Sequence, residues 1–215
     1  MTSAASRTWR ERLTDAIARK PSGPIGRLLY RHPVGHQPGF NVALSVVPPA
    51  AQDAILDVGC GGGVFLQQAL LCGCHGTGID HSPDMLKTAK AVNAAAVAEG
   101  RLTLVEADAA ALPLPDESFD KVFCLNAFFF FPAPAAAVAE MARVARPGGT
   151  VAILTMHPDW AKQFGWLFGP VTRQMRFDEP GTLEQWGAAS GLGTMRIEDI
   201  PSGGYLHVFQ KRTTG

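Results

Sequence analysis

Residues 54–70 read AILDVGCGGGVFLQQAL and place four glycines within five positions, between two apolar runs. The first run, 54–58, predicts a short strand, and the residues after the glycines predict a helix. Glycine loses more conformational freedom on folding than any other residue, so this cluster needs a physical reason. A sharp strand-to-helix turn, with a ligand close to its backbone, would supply one.

The spacing of these glycines distinguishes between two kinds of ligand loop. A dinucleotide fingerprint, G-x-G-x-x-G, would need glycine at 59, 61 and 64, but position 64 is Val64. The third glycine of that fingerprint permits close packing of helix on strand, so its absence counts against a nicotinamide or flavin site. The series Asp57-x-Gly59-x-Gly61-x-Gly63, in contrast, is complete.

Runs that predict strands alternate with helical periodicity from residue 54 onward. Such alternation is typical of β-α-β units in a parallel sheet with right-handed crossovers. Two late runs joined by Pro201-Ser202-Gly203 predict a hairpin, so the last strand should be antiparallel. The predicted strands are 54–58, 75–80, 102–106, 120–125, 149–155, 194–200 and 204–211, and the predicted helices are 3–19, 40–47, 63–72, 83–98, 133–145 and 181–190.

With an acidic residue followed by G-x-G-x-G, the chain resembles the class I S-adenosylmethionine-dependent methyltransferases, in their small single-domain branch that acts on metabolites. Two later segments resemble the same family: 105–123, VEADAAALPLPDESFDKVF, and 142–154, ARVARPGGTVAIL. In the second, Pro147-Gly148-Gly149 is predicted to end a helix and turn the chain. The resemblance implies an α/β, Rossmann-like sheet of seven mostly parallel strands in the order 3-2-1-4-5-7-6, with the last strand antiparallel and helices on both faces.

The same resemblance implies S-adenosyl-L-methionine as cofactor and assigns its contacts. Backbone N–H groups at a helix start favour a carboxylate, here that of the methionine part. Asp80 would accept the ribose hydroxyls, while Asp108 and the N–H of Ala109 would bind the adenine. His81 could equally be a surface residue, and Asp108 could simply cap a turn. The full cofactor-binding set is Asp57, Gly59, Cys60, Gly61, Gly63, Asp80, His81, Asp108, Ala109 and Asn126.

Methyl transfer from a sulfonium is an in-line displacement that depends mainly on alignment, so no fixed catalytic constellation is expected. A general base matters only where the acceptor must lose a proton. His157, after the fifth strand, is the first candidate because imidazole titrates near neutral pH. His36 and Tyr30, both near the N-terminus, are the other candidates.

Aromatic side chains indicate the kind of methyl acceptor. Phe128–Phe131 follow the fourth predicted strand, and four consecutive aromatics cannot all face the core. Either two pack inward and two cover the next helix, or some line an acceptor pocket together with Trp160, Phe164 and Trp166. The second reading predicts a hydrophobic or aromatic small molecule. Because Asn126 opens the sequence NAFFFF rather than N-P-P-Y, adenine in DNA is not favoured.

The first residues carry an excess of positive charge. Residues 1–31 hold seven Lys or Arg against two acidic residues, a balance of +5 that leaves −5 for the rest of a chain with zero net charge. This is typical of a solvated helix face, or else of a basic flap that attracts an anionic ligand. Residues 1–47 are predicted to form a helical lid, and 48–215 the core of a single overall domain.

Composition narrows the partners and the location. Zero net charge argues against general nucleic-acid binding. The uncharged run 122–139 approaches membrane-span length, but it contains Asn126 and two prolines and divides into strand, turn and helix, so no membrane span is predicted. The four cysteines, Cys60, Cys72, Cys74 and Cys124, form no C-x-x-C pair, so we expect reduced thiols and no metal. We expect a monomer or homodimer in the cytoplasm.

Two other functions remain open from the sequence. A nicotinamide-dependent reductase could use a similar sheet, although Val64 counts against it. A methyltransferase-like domain without catalysis could serve as a binding subunit, although the complete set of acidic ligand positions makes this less favoured. The in-line methyl transfer to a small molecule is therefore the first hypothesis.

Overall fold

The computed structural model describes residues 34–157, 159, 175–201 and 203–213. The strands of this part are β1 (Ala54–Val58), β2 (His75–Asp80), β3 (Leu102–Glu106), β4 (Phe119–Cys124), β5 (Ala145–Met156), β6 (Leu192–Ile200) and β7 (Gly204–Lys211). They form one sheet in the order β3-β2-β1-β4-β5-β7-β6, in which β7 pairs antiparallel with both neighbours and the other pairs are parallel. The predicted strand order and the reversed last strand are therefore confirmed.

The described helices are α1 (Gln37–Val46), α2 (Val64–Ala69), α3 (Pro83–Val92), α4 (Ala94–Ala98), α5 (Pro134–Val144) and α6 (Pro180–Ala189). Short 3-10 turns occupy Val34–His36, Leu70–Cys72 and Phe128–Phe130. Ser82 caps α3, because its Oγ accepts the N–H of Met85 at 3.4 Å. The single helix predicted over 83–98 is divided at Asn93, whose side chain donates to the carbonyls of Ala89 and Gly63.

Helices bury both faces of the sheet. On one face, α5 and α6 pack Met141 and Leu183 against the strands, together with Phe128. On the other face, α1 and α2 contribute Phe40 and Phe65. Burial on both sides explains why the strands read as continuous apolar runs.

The junction between α5 and β5 differs from the prediction. The helix ends at Val144 and β5 begins at once, because Ala145 pairs with Phe119. The next pair is Lys121 with Thr150, so residues 146–149 bulge out of the ladder. The Pro-Gly-Gly sequence thus turns the chain inside a strand, after the helix has already ended.

The predicted lid, residues 1–47, is described only from residue 34. Within this part, α1 packs Phe40 and Ala43 into the same apolar cluster as α2. The predicted helix 3–19, the candidate base Tyr30 and the predicted acceptor-pocket residues Trp160, Phe164 and Trp166 lie outside the described residues. In the part of the chain that the structure describes, none of the helices reaches the length and apolarity needed to cross a membrane.

Candidate active site

The glycine-rich turn joins the carboxyl end of β1 to α2. The N–H groups of Gly59 and Cys60 both donate to the Ile79 carbonyl on β2, at 2.8 and 2.9 Å. Gly63 stands at the N-cap of α2 in the left-handed conformation, and its N–H donates to the Cys60 carbonyl at 2.9 Å. These bonds hold the turn against the neighbouring strand at the edge where ligands bind in α/β sheets.

Protein neighbours explain two of the glycines. Gly59 has φ +79°, and a Cβ there would lie 2.4 Å from the Ala127 Cβ. Gly63 has φ +77°, and a Cβ there would lie 2.6 Å from the Asn93 amide nitrogen and 2.8 Å from the Ala89 Cβ. Both the backbone angle and the missing space therefore require glycine. We predicted that the glycines allow a sharp turn and a close ligand; at these two positions the atoms that exclude a side chain belong to the protein itself.

A cleft of about 400 Å³, counting the part that opens to solvent, lies beside this turn. Its floor is the backbone of the turn, and its walls come from α1, α2 and the end of β4. The cleft combines aromatic and aliphatic side chains with a carboxyl, an imidazole and an amide. The residues that line it are His36, Phe40, Asp57, Gly59, Cys60, Gly61, Gly62, Val64, Phe65, Leu125 and Asn126.

Two buried carboxyl groups support the turn. Asp57 lines the cleft, and burial, followed by the charge of Asp80, raises the pKa of Asp57 to about 8. Asp80 accepts the Gly61 N–H on Oδ2 at 2.9 Å and the Ser82 N–H on Oδ1 at 2.8 Å. Burial also raises the pKa of Asp80, although these two hydrogen bonds and the nearby His81 oppose that rise. Such a pair favours a ligand that carries positive charge.

Asn126 is the second polar feature of the cleft. Its φ of +57° is the left-handed conformation, which is uncommon outside glycine. Its Nδ2 is buried and has no hydrogen-bond partner within the described part of the chain. Since a buried amide donor without an acceptor is costly, this group favours a ligand that brings an acceptor oxygen.

The predicted adenine contacts lie further along the same edge. Ala107 donates its N–H to the Asp80 carbonyl at 3.2 Å, which joins the segment after β3 to the end of β2. Asp108 is exposed and its Oδ1 accepts the Ala110 N–H at 2.9 Å, so it does cap a turn, while Ala109 is buried. His81 is half exposed, with Nδ1 3.6 Å from Asp80 Oδ1. None of these side chains lines the cleft described above.

The two candidate bases that the structure describes differ in position. His36, at the N-cap of α1, lines the cleft, and burial lowers its pKa. His157 follows β5 and lies beside Tyr205, with ring centres 5.1 Å apart and its Nδ1 accepting the Asp159 N–H at 2.9 Å. It is not among the residues that line the cleft, so the geometry favours His36 over His157.

Several cleft residues were not predicted from the sequence. Phe40, Phe65 and Leu125 read as core positions, which they also are. Phe131 does not line the cleft, but its ring lies 3.6 Å from the position that a Gly59 Cβ would take. Within that run, Phe128 and Phe129 are buried while Phe130 and Phe131 are partly exposed, which agrees with two of the four packing inward.

The buried Cys60 contributes its backbone to the turn. Burial, together with the charges of Asp57 and Asp80, raises the pKa of the Cys60 thiol well above its usual value. The thiol is therefore a neutral packing group and no nucleophile. Among the described residues, no cluster of three or more His, Cys, Asp or Glu side chains could hold a metal ion.

The chain is similar in sequence and in fold to known methyltransferases. Residues 56–153, which span the glycine turn and the first five strands, match a family described as "Methyltransferase domain". The chain is 32% identical over 170 residues to a "Ubiquinone biosynthesis O-methyltransferase" of Methylococcus capsulatus, covering 71% of this chain and 70% of that protein. This chain therefore belongs to the class I S-adenosylmethionine-dependent methyltransferases and is an enzyme of that family.

Further relatives agree with this assignment. Proteins of the same name from Xanthomonas campestris are 34% identical over 118 residues, and the chain spans about half of their length, 47%. A Haloferax volcanii methyltransferase, solved with the Trm112 methyltransferase activator, has a TM-score of 0.74 at 20% identity, covering 86% of this chain and 92% of that one. Geranyl diphosphate methyltransferase in complex with SAM has a TM-score of 0.68 at 14% identity, covering 80% and 84%. These structures share the fold.

The family uses S-adenosylmethionine, and the residues present fit that cofactor. The unpartnered Asn126 Nδ2 can donate to its carboxylate, and the Asp57 carboxyl suits its positive charge. The cofactor supplies an activated methyl group on a sulfonium, which leaves the protein to bind and orient it. The reductase and the binding subunit considered above are thereby set aside.

Proposed function

We propose that this enzyme methylates a hydroxyl group on a hydrophobic, aromatic small molecule. The relatives from Methylococcus capsulatus and Xanthomonas campestris named above are O-methyltransferases of ubiquinone biosynthesis, which supports oxygen as the accepting atom. The cleft supports the aromatic character, because Phe40, Phe65 and Leu125 give it flat apolar walls. Such walls favour a planar acceptor over an ionic one.

The observation that carries this proposal is the position of His36. Its imidazole lines the same cleft as Asp57 and Asn126, and burial lowers its pKa, which keeps the ring neutral at pH 7. A neutral imidazole can take the proton of a phenolic hydroxyl while the oxygen bonds to the methyl carbon and the sulfur–carbon bond breaks. A base of this kind is needed for a hydroxyl acceptor and is unnecessary for a free amine or a thiolate.

The cofactor contacts proposed for this chain follow from the same edge of the sheet. The Asp80 carboxylate, whose Oδ2 accepts the Gly61 N–H and whose Oδ1 accepts the Ser82 N–H, would also accept the ribose hydroxyls. Asp108 and the N–H of Ala109 would bind the adenine, with His81 against its ring. The glycine turn and Asn126 would hold the methionine part.

The experiment is an acceptor screen with S-adenosylmethionine labelled in its methyl group. We expect catechols with an apolar tail to be methylated on oxygen, as located by fragment mass spectra. Turnover confined to ions or very polar compounds, such as small amino acids, would contradict the proposed acceptor class. The screen should also include a nucleic-acid arm, in which no methylation is expected.

The role of His36 has its own test. His36→Gln should lower kcat/KM for the catechol by roughly 10²–10⁴ at pH 7. The loss should shrink as the pH approaches the pKa of the acceptor hydroxyl, because the ionised acceptor needs no base. The matched control is His75→Gln, an exposed histidine at the start of β2, which should leave kcat/KM unchanged. A loss in His36→Gln that does not vary with pH would indicate a packing role instead.

The proposal also covers the N-terminal residues, the oligomeric state and the cellular location. Residues 1–47 would form a lid over the acceptor, with α1 as its fixed base. We propose a monomer or homodimer in the cytoplasm. Limited proteolysis with and without cofactor tests the lid, since a closing segment becomes protected when ligand binds.

A further inference from the structure

The turn between α2 and β2 holds two cysteines that lie outside the methyltransferase site. Cys72 Sγ donates to the Ala69 carbonyl oxygen at 3.3 Å, and Cys74 Sγ donates to the same oxygen at 3.6 Å. Two thiols that share one acceptor must lie near each other. The Cys72-Gly73-Cys74 turn therefore presents a preformed dithiol.

The two thiols differ in their access to solvent. Cys72 is exposed, whereas Cys74 is fully buried. Gly73 between them has no atom within 4 Å of the position that a Cβ would occupy, so this side of the turn faces open space. A small reagent in solution can therefore reach the exposed Cys72 before it reaches the buried Cys74.

We propose that Cys72 and Cys74 form a reversible thiol–disulfide site whose oxidant is a small-molecule disulfide, RSSR. Cys72 Sγ attacks RSSR, forms a mixed disulfide and releases one RSH. Cys74 Sγ then attacks Cys72 Sγ, which breaks the bond to the SR group and releases the second RSH. The protein loses two hydrogen atoms and two electrons, and RSSR gains them.

The local chemistry is consistent with this order of attack. Burial, and after it the hydrogen bond and charge of Cys72, raises the pKa of Cys74 to about 12. Cys74 is therefore a poor first nucleophile.

This site is independent of the proposed methyl transfer. The cofactor turn precedes the N-terminal end of α2, and the dithiol follows its C-terminal end. Neither cysteine lines the cleft. Failure of the acceptor screen would therefore leave this inference standing, and the reverse also holds.

The test treats the reduced protein with oxidised glutathione, blocks the remaining thiols by alkylation and maps the cysteines by peptide mass spectrometry. We expect a Cys72–Cys74 disulfide in the wild type that dithiothreitol reverses. Cys74→Ser should stop at a glutathione adduct on Cys72, and Cys72→Ser should form no adduct. The buried Cys60 and Cys124 serve as internal controls and should remain free thiols.

Three outcomes would overturn the inference: a glutathione adduct that persists on wild-type Cys72, a disulfide between two chains, or an unreacted Cys72. Because Cys74 is buried, its serine variant is accompanied by Cys74→Ala, and both are checked for a folded circular dichroism spectrum. The mixed disulfide must accumulate in whichever variant folds.

Discussion

Asp80→Ala tests the assignment of the ribose to the end of β2. The Asp80 carboxylate already accepts the N–H groups of Gly61 and Ser82, at 2.9 and 2.8 Å. If the carboxylate also accepts both ribose hydroxyls, as proposed, the substitution removes two charge-assisted hydrogen bonds to the cofactor. At about 1.5–3 kcal/mol each, the loss is about 3–6 kcal/mol, and the Kd should rise by a hundredfold or more.

The same substitution also loosens the turn, so two measurements are needed. Isothermal titration calorimetry with S-adenosylhomocysteine gives the Kd, and urea unfolding of the ligand-free protein gives the cost to the fold. The matched control is Asp84→Ala, which removes a carboxylate from the first turn of α3 close by. Its Kd should change by less than about threefold, because a partly exposed charge acts weakly through solvent.

Two results would contradict the proposed ribose contact. If Asp80→Ala remains folded and binds S-adenosylhomocysteine as tightly as the wild type, the ribose lies elsewhere. If Asp84→Ala weakens binding as much as Asp80→Ala does, the effect is general electrostatics and the two hydrogen bonds carry no special weight. Only a large effect confined to Asp80 supports the proposed contact.

Two further predictions concern the turn itself. Gly59→Ala should lower the free energy of unfolding by about 2–5 kcal/mol, because the residue has φ +79° and the new Cβ would lie 2.4 Å from the Ala127 Cβ. The control Gly73→Ala, at φ +89° but with open space, should lower it by only about 1–2 kcal/mol. Equal losses in urea unfolding would exclude the packing explanation. The pKa of Asp57, raised from 3.8 to about 8, means that the folded state keeps a proton which the unfolded state releases, so stability falls as the pH rises from about 4 to 8. Asp57→Asn should remove part of that fall, on the order of a few kcal/mol at pH 8, and parallel pH profiles for the two proteins would contradict the raised pKa.

The regular part of the fold could be predicted because its signals are local. The bounds of β1, β2, β3 and β7 agree with the prediction to the residue, since turn residues interrupt each apolar run. The division of the helix at Asn93 could not be predicted, because its side chain bonds to the carbonyl of Gly63, thirty residues away. Likewise, β5 begins early because Ala145 finds a partner in Phe119, a pairing that local sequence does not encode.

The candidate site was predictable to the extent that it follows topology. Parallel strands end at the same edge, so the segments after β1, β2 and β4 had to meet there, and Asp57, Asp80 and Asn126 do lie along it. The sequence offered both His36 and His157 as candidate bases near the site, and only the packing of α1 shows that His36 lines the cleft; the left-handed backbone of Asn126 likewise could not be predicted. Topology therefore predicts which loops form a site, while packing decides which side chains face it.

His207 on β7 shows why a polar residue in a strand does not predict an exposed position. Alternation with the apolar Leu206 and Val208 would place its side chain on a solvent face, but helices cover both faces of this sheet and His207 is fully buried. Its Nε2 lies 3.2 Å from Thr155 Oγ1, its Nδ1 has no partner in the described part of the chain, and burial lowers its pKa to about 4. The imidazole is thus kept neutral at pH 7, because charging it there would mean leaving an ion without compensation in an apolar layer.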